Sequence, residues 1–213
     1  MEGYDSSIDY AGKPKPMGLL NLLFGRRSNL TIHNDRVWMC TETKFAEVRY
    51  DLAHRKANAI LLVAHFDETI CRLEKLVEEH NRTPIRLVHA RDLNPDHAMS
   101  TNVETASIDV VCAERHPLWS EDQRVVEFCE SMNCRCNLQY HVAVDSPLIA
   151  RFIDVGILEQ LGLRKTESIQ SGMISRIIRR AQKQVEAKAV TTFDAVSAEE
   201  WFEKNLKEMR KKE

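Results

Sequence analysis

Polar and charged side chains follow four apolar runs that are typical of buried strands. The runs are AILLVAHF, PIRLVHA, SIDVVCA and LQYHVAV, and the residues at or after their ends are His65, Asp67, His89, Asp92, Glu114, Arg115, His116 and Asp145. Parallel strands place their carboxyl ends at one edge of a sheet, so we expect these side chains to lie close together. Imidazoles and carboxylates together can transfer protons or bind a metal ion. The same residue types also cap helices, as Asp67 is expected to do, and we favour this role because topology alone does not demonstrate a site.

Phosphate binding usually requires a glycine-rich turn, because main-chain N–H groups must approach the phosphate closely. The seven glycines are Gly3, Gly12, Gly18, Gly25, Gly156, Gly162 and Gly172. None follows a predicted strand of the core, and neither G-x-x-x-x-G-K-[ST] nor G-x-G-x-x-G occurs. We therefore expect no ATP binding by either common route and no cofactor.

A zinc site is the second chemical candidate, since Cys129, Cys134, Cys136 and His141 lie within one short stretch. Their C-x₄-C-x-C spacing is not a usual ligand pattern. Cys129 also falls on the apolar face of a predicted helix. Buried cysteines acting as small apolar residues are the favoured interpretation, and no metal is expected.

Helical patterns separate the predicted strands and position their ends. The alternation predicts right-handed crossovers, a mostly parallel sheet and three α/β/α layers, followed by a helical C-terminal extension. We divide the chain into a flexible lead (1–34), an α/β domain (35–152) and the helical extension (153–213). Within the lead, MGLLNLLFGRR either packs on the domain or docks on a protein or a membrane surface.

Composition limits the possible functions. The 213 residues are 29% charged and 43% hydrophobic, with a formal net charge of −2. A dedicated nucleic-acid binder usually has a strong basic excess, so no nucleic-acid partner is expected. No apolar run approaches the roughly 18 residues of a membrane-spanning helix, and the sequence start does not fit a signal peptide. Six cysteines then fit a reducing cytoplasm, with free thiols.

The long helix predicted near residue 172 carries one apolar stripe. Its members are Met173, Ile174, Ile177, Ile178, Ala181 and Val185, whereas Arg176, Arg179, Arg180 and Lys183 fall on other faces. The stripe predicts an interaction helix that docks by its apolar side, on its own domain or on a partner. The arginines are interpreted as a solvated face.

Six stretches occur in an order that is familiar from one family. They are DRVWMCTETK from Asp35, AILLVAHF, ERH at 114–116, DSPLIARF from Asp145, LEQLGL, and MISRIIRRAQKQVEAKAV. Together they resemble the second nucleotide-binding half of the SecA preprotein translocase, running into the start of its scaffold helix. The last stretch is the most specific, because SecA proteins carry a similar S-R-x-I-x-x-A-Q-x-x-V-E. The resemblance implies a lobe of the P-loop NTPase and helicase type.

Departures from the SecA pattern bear on activity. In SecA an arginine-rich motif, Q-L-R-G-R-x-x-R-Q-G, meets the ATP phosphates. Its arginines fall here on Val126, Phe128 and Ser131. The glycine-rich AGRGTDI motif and the first motor half are missing as well. An arginine finger contributes on the order of 10³ to 10⁵ in rate, so the resemblance implies a degenerate ATPase whose Glu114 and Arg115 pair structurally.

The expected function is therefore that of a non-catalytic, SecA-like binding or adaptor module, linked to protein targeting or translocation. Faces that other parts of SecA would cover need substitutes, so a protein partner or a homo-oligomer is expected. The alternative is a small enzyme or metal-binding protein that uses the strand-end His, Asp and Glu residues.

Overall fold

The computed structural model describes residues 29–78, 84–94, 106–164 and 167–206. The strands are β1 (Leu30–Ile32), β2 (Arg36–Trp38), β3 (Ala59–Ala64), β4 (Ile85–His89), β5 (Ser107–Cys112), β6 (Arg135–Ala143) and β7 (Ile169–Gln170). The helices are α1 (Thr41–His54), α2 (Asp67–Glu78), α3 (Trp119–Ser131), α4 (Pro147–Phe152), α5 (Val155–Gln160), α6 (Gly172–Lys188) and α7 (Ala198–Asn205), with a 3₁₀ turn at Ala90–Asp92. In these ranges, no helix is both long and apolar enough to cross a bilayer.

The strands form one mixed, mostly parallel sheet in the order β4-β3-β5-β6-β2-β7. β1 lies beside the first half of β6 and β2 beside its second half, so β6 has two successive neighbours along one side. Only the pairing of β2 with β7 is antiparallel among the described strands. Parallel neighbours need crossovers, which helices largely supply here, and the predicted α/β class is confirmed.

One outer layer consists of α1 and α2. Val48 and Leu52 of α1, together with Leu73 of α2, pack against Ile60 and Leu62 of β3. β3 is buried along its whole length, which a central strand with helices on both faces requires.

The other outer layer consists of α3 and the helical extension. Val125 and Phe128 of α3 pack against Val110 and Leu138. Beyond them, α4 to α7 form a second apolar cluster around Val142 near the end of β6. The three-layer arrangement thus has helices on both faces of the sheet, as predicted.

The predicted end of the flexible lead, residue 34, lies too far along the chain. Leu30–Ile32 form β1, which continues the sheet beside β6. The main-chain N–H of Cys136 donates to Asn29 O, and that of His33 donates to Leu138 O, so this segment is fixed at both ends. Three residues are too few for a periodic pattern, which is why the sequence did not reveal the strand. The MGLLNLLFGRR segment lies outside the described residues.

Candidate functional site

Glu114, directly beyond β5, caps the start of α2. Its Oε1 accepts hydrogen bonds from the main-chain N–H groups of His65 (2.9 Å) and Phe66 (3.1 Å), and its Oε2 accepts one from Thr69 Oγ1 (2.7 Å). A carboxylate at a helix N-terminus interacts favourably with the helix dipole. Two expectations are therefore corrected: Glu114 does not pair with Arg115, and Glu114 rather than Asp67 supplies the capping contacts.

Arg115 turns the other way, into the protein. Its Nε lies 2.7 Å from Asp35 Oδ1 and its Nη1 lies 3.0 Å from Asp122 Oδ2, while the guanidinium stacks 3.4 Å from the Tyr140 ring centroid. Burial alone would lower the pKa of Arg115, but the two carboxylates raise it well above its usual value. The charge is thus compensated inside the fold and is not presented to a ligand.

Asp122, in the first turn of α3, is the centre of this buried network. It accepts hydrogen bonds from Arg115, from the His116 main chain (3.2 Å) and from Gln182 Nε2 of α6 (2.5 Å). Its Oδ1 also lies 2.9 Å from His65 Nε2. Burial would raise the pKa of Asp122, but Arg115 and these donors lower it to about 2. The network joins two strand ends to α3 and α6.

His116 lies in an aromatic enclosure. Its ring stacks on Phe66, with centroids 5.4 Å apart, and meets the edge of Trp201 at 5.5 Å. Burial and the neighbouring His65 lower the pKa of His116 to about 3. Because its Nδ1 accepts a hydrogen bond from the Leu118 N–H, the proton of the neutral ring is on Nε2. A neutral, enclosed imidazole serves packing here.

Asp67, His89 and Asp92 form a separate group at the edge strand β4. Asp67 Oδ1 lies 3.7 Å from His89 Nε2 and 3.5 Å from Arg91 Nη2. Burial, followed by the charge of Arg91, lowers the pKa of His89. Asp92 closes the 3₁₀ turn that follows β4. These residues line an open depression with Glu74 and Leu87.

Asp145, at the end of β6, caps the start of α1. Its Oδ2 accepts from the Thr41 N–H (3.0 Å) and its Oδ1 accepts from Thr41 Oγ1 (2.7 Å). Asp145 thus accepts hydrogen bonds at the start of α1, as Glu114 does at the start of α2. Both carboxylates come from strand ends, as the sequence predicted, and both are engaged with a helix start.

A cavity of about 290 Å³ opens between these two carboxylates at the carboxyl edge of the sheet. Its walls include Glu114 and Asp145, the starts of α1 and α2, and residues 197–199 at the start of α7. His65, His89 and His116 are not among its lining residues. Of the eight predicted strand-end residues, the cavity therefore unites only Glu114, Arg115 and Asp145.

Lys44 and Ser146 also line this cavity, and both escaped the sequence-based prediction. Lys44 is 5% exposed, and its Nζ donates a hydrogen bond to Ala113 O at 2.8 Å. A signal was present, because position 44 lies one and two turns before Val48 and Leu52 on the buried stripe of α1. The hydroxyl oxygen of Ser146 is buried and has no hydrogen-bond partner among the described residues.

The three positions on which the expected resemblance would place the SecA arginines lie on α3. Phe128 is buried in the core, Val126 packs partly against it, and Ser131 is exposed, with its hydroxyl donating to Phe128 O at 2.7 Å. None of the three lines the cavity. An arginine at position 128 would place a charge in the core.

The zinc candidates are divided between the two faces of the sheet. Cys129, Cys134 and Cys136 belong to the core beneath α3, whereas His141 accepts a hydrogen bond from Trp38 Nε1 at 3.3 Å beneath the α1 layer. Burial raises the pKa of Cys129 to about 12, which disfavours the thiolate that binds metal. Among the described residues, no group of three or more His, Cys, Asp or Glu side chains is arranged to hold a metal ion.

The apolar stripe of the interaction helix faces its own chain. Ile174, Ile178, Ala181 and Val185 are buried in the cluster that α4 and α7 complete, and Ile177 is partly buried against it. Met173 was predicted to belong to the stripe but is 49% exposed, because it lies in the first turn of α6. Gln182 belongs to the same face, because its Nε2 donates to His116 O and to Asp122. Arg179 stacks over the Trp119 ring, 4.6 Å from its centroid.

The carboxyl edge can therefore offer a ligand a buried amine, a buried hydroxyl and apolar walls, between two carboxylates that cap helices. It offers no imidazole in the cavity and no unpaired guanidinium of Arg115. The chain matches no protein-family model, and no curated protein matches it significantly.

Proposed function

We propose that this protein is a non-catalytic binding module, related to the second motor half of SecA, that works as an adaptor in protein targeting or translocation in the cytoplasm. It does not bind or hydrolyse ATP, and it acts through a protein partner or a second copy of itself. The sequence resemblance supports the proposed relationship to SecA. The side chains at the carboxyl edge of the sheet support the absence of ATP binding.

The observation that carries the proposal is the use of Glu114 and Asp145 as helix caps. The N-terminus of a helix attracts anions, and nucleotide-binding folds place phosphates there. At α1 the first main-chain N–H, that of Thr41, already donates to Asp145. Just before α2 the N–H groups of His65 and Phe66 already donate to Glu114. A polyphosphate that approached this edge would meet two negative charges.

Arg115 supports the same conclusion. A guanidinium that stabilises a transferring phosphoryl group must be able to reach it. Here it is enclosed between Asp35, Asp122 and the Tyr140 ring, with a side chain that is only 8% exposed. Leaving either carboxylate unpaired in the interior would cost several kcal/mol.

An adaptor needs a surface for its partner, and the loop between α6 and α7 offers one. Phe193 is 58% exposed and Val196 is 57% exposed, with Val190 nearby in the same segment. The loop is well anchored, because Asn205 accepts a hydrogen bond from the Phe193 N–H and donates one to Phe193 O. A fixed loop that presents apolar side chains is suited to protein contacts.

Isothermal titration calorimetry with ATP and Mg²⁺ tests the central claim. We expect no binding heat at millimolar nucleotide. A Kd in the micromolar range would overturn the proposal. A double variant, Glu114→Gln with Asp145→Asn, is the matched control: a gain of nucleotide affinity in this variant alone would identify the two charges as the cause of exclusion.

A second candidate function, a small enzyme, is favoured by one observation, the cavity lined by Glu114, Asp145 and Lys44. Because no histidine lines it, the chemistry would depend on the amine and the carboxylates. Elemental analysis of the purified protein tests the form of this alternative in which the carboxylates bind a metal ion: one equivalent of metal, lost in Asp145→Asn, would support the enzyme.

A further inference from the structure

The amine of Lys44 is held in a confined space that has apolar and charged walls. The side chain is 5% exposed, and the aromatic ring of Phe45 lies 4.6 Å from Nζ. Val142 and Leu148 contribute further apolar wall to the cavity. A lysine in such surroundings loses the water that normally stabilises its ammonium form.

The charges around Lys44 act in both directions. Burial has the largest effect and lowers the pKa of Lys44, and Arg72 lowers it further, whereas Glu114, Asp145 and Glu68 raise it. The net effect is a lowered pKa of Lys44. Desolvation of this kind activates lysine as a nucleophile, because only the neutral amine has a lone pair to donate.

The hydrogen bond that Lys44 Nζ donates does not occupy the lone pair of the neutral amine. Nζ donates to the main-chain carbonyl of Ala113, while Glu114 and Asp145 accept from other groups, Thr69 and Thr41 among them. Once Nζ has lost one proton, its lone pair is available to an electrophile that enters the cavity.

Ser146 is the second group without an assigned role. Its buried Oγ lines the cavity and has no hydrogen-bond partner in the described part of the chain. A buried hydroxyl without a partner carries a desolvation cost, which a hydrogen-bonding ligand or water removes. The carbonyl oxygen of a ligand could accept that hydrogen bond.

We propose that the cavity binds a small aldehyde or ketone with an apolar body and that Lys44 captures it as an imine. The lone pair of Nζ attacks the carbonyl carbon, and one Nζ proton moves to the carbonyl oxygen, which accepts a hydrogen bond from Ser146. The resulting carbinolamine loses its hydroxyl together with the remaining Nζ proton as water, and a C=N bond replaces C=O. The step is neither an oxidation nor a reduction. It goes beyond adaptor function, and a neutral ligand avoids the repulsion that Glu114 and Asp145 exert on polyphosphates.

Reductive trapping of the full-length protein tests this proposal. The protein is incubated at pH 7 with 2-methylpropanal and sodium cyanoborohydride, which reduces an imine to a stable secondary amine. Adducts are counted by intact mass and located by peptide mapping. We expect Lys44 to be alkylated at least several-fold faster than the exposed lysines Lys75 and Lys183, because each unit by which a pKa falls raises the neutral fraction about tenfold.

Two variants complete the experiment. Ser146→Ala should slow trapping at Lys44 and leave trapping at Lys75 unchanged, since only the cavity loses a hydrogen bond. Lys44→Arg should abolish the fast adduct, with the melting temperature as the check on folding. Because the wild-type map already compares lysines within one chain, the proposal remains testable if the Lys44 variant does not fold. Equal alkylation of all three lysines, or preferential alkylation of the exposed ones, would overturn it.

Discussion

The guanidinium of Arg115 contacts the carboxylate of Asp35 at 2.7 Å, although the two residues are 80 positions apart in the sequence. Asp35 precedes β2, and Arg115 follows β5. Asp122 completes the buried arrangement from the far side. This ion-pair network fixes the carboxyl edge of the sheet from within.

Removal of Arg115 should destabilise the protein strongly. Arg115→Met leaves two carboxylates buried without their partner, and the expected loss is about 3–5 kcal/mol of unfolding free energy. Urea unfolding monitored by circular dichroism measures it. Arg124, which pairs with Glu121 at the surface, is the matched control, and Arg124→Met should cost less than about 1 kcal/mol. Equal effects of the two changes would contradict the network.

Mild acid should destabilise the protein through His116. Burial and His65 lower its pKa to about 3 in the folded state, against an ordinary value of 6.5. The unfolded chain therefore takes up this proton first, so the contribution is present above about pH 6.5 and is lost as the pH falls towards 3. His116→Phe should flatten the dependence of unfolding free energy on pH in that window. Part of the slope will remain, because the pKa of His141 is also lowered by burial. A variant with the full wild-type slope would show that His116 does not supply it.

Loss of the Glu114 cap should weaken the start of α2. Glu114→Ala removes the acceptor of three hydrogen bonds, and substitutions of capping residues typically cost about 0.5–2 kcal/mol. Hydrogen exchange followed by mass spectrometry should show faster exchange than in wild type at the amides of His65 and Phe66, which directly precede α2. Exchange in β3 should change little, because its amides are bonded within the sheet. Unchanged protection at the amides of Phe66 and its neighbours would be incompatible with the capping role.

The loss of stability caused by substitutions in α6 should depend on how deeply each side chain is buried within this chain. Ile178 is fully enclosed, so Ile178→Ala should cost about 2–5 kcal/mol. Ile177 is only partly buried, so Ile177→Ala should cause a smaller loss of stability. Exposed Arg180→Ala should change stability by less than about 0.5 kcal/mol. Thermal melts at several protein concentrations are the measurement; a concentration-dependent loss for Ile178→Ala would mean that the stripe also meets a second chain.

The main elements of the sheet could be predicted because their signals are local. β3 is a continuous apolar run, and the stripes of α2 and α6 repeat at helical spacing. The layers and the largely parallel order follow from strands that alternate with helices. β1 and β7 could not be predicted, because two or three residues in a strand leave no pattern.

The partners of the strand-end residues could not be predicted from the sequence. Adjacent Glu114 and Arg115 suggest a pair, yet beyond the end of β5 the two side chains bond to different parts of the chain. Glu114 meets the start of α2, and Arg115 enters the interior, where Asp35 and Asp122 arrive from distant parts of the chain. Lys44 was missed for a different reason. A charged residue next to an apolar stripe is usually interpreted as lying at the exposed border of that stripe.

The hydrogen bond from the Glu68 N–H to Val196 O at 2.9 Å joins the start of α2 to the segment before α7, so it can form only after that segment has been synthesised. The seven strands of the described residues all precede α6, so the sheet can form while α6 and α7 are still inside the ribosome. The ring of His116 remains open to water until Trp201 emerges and covers it. A chain that stops after β7 would therefore expose to chaperones the apolar surface that α6 and α7 cover.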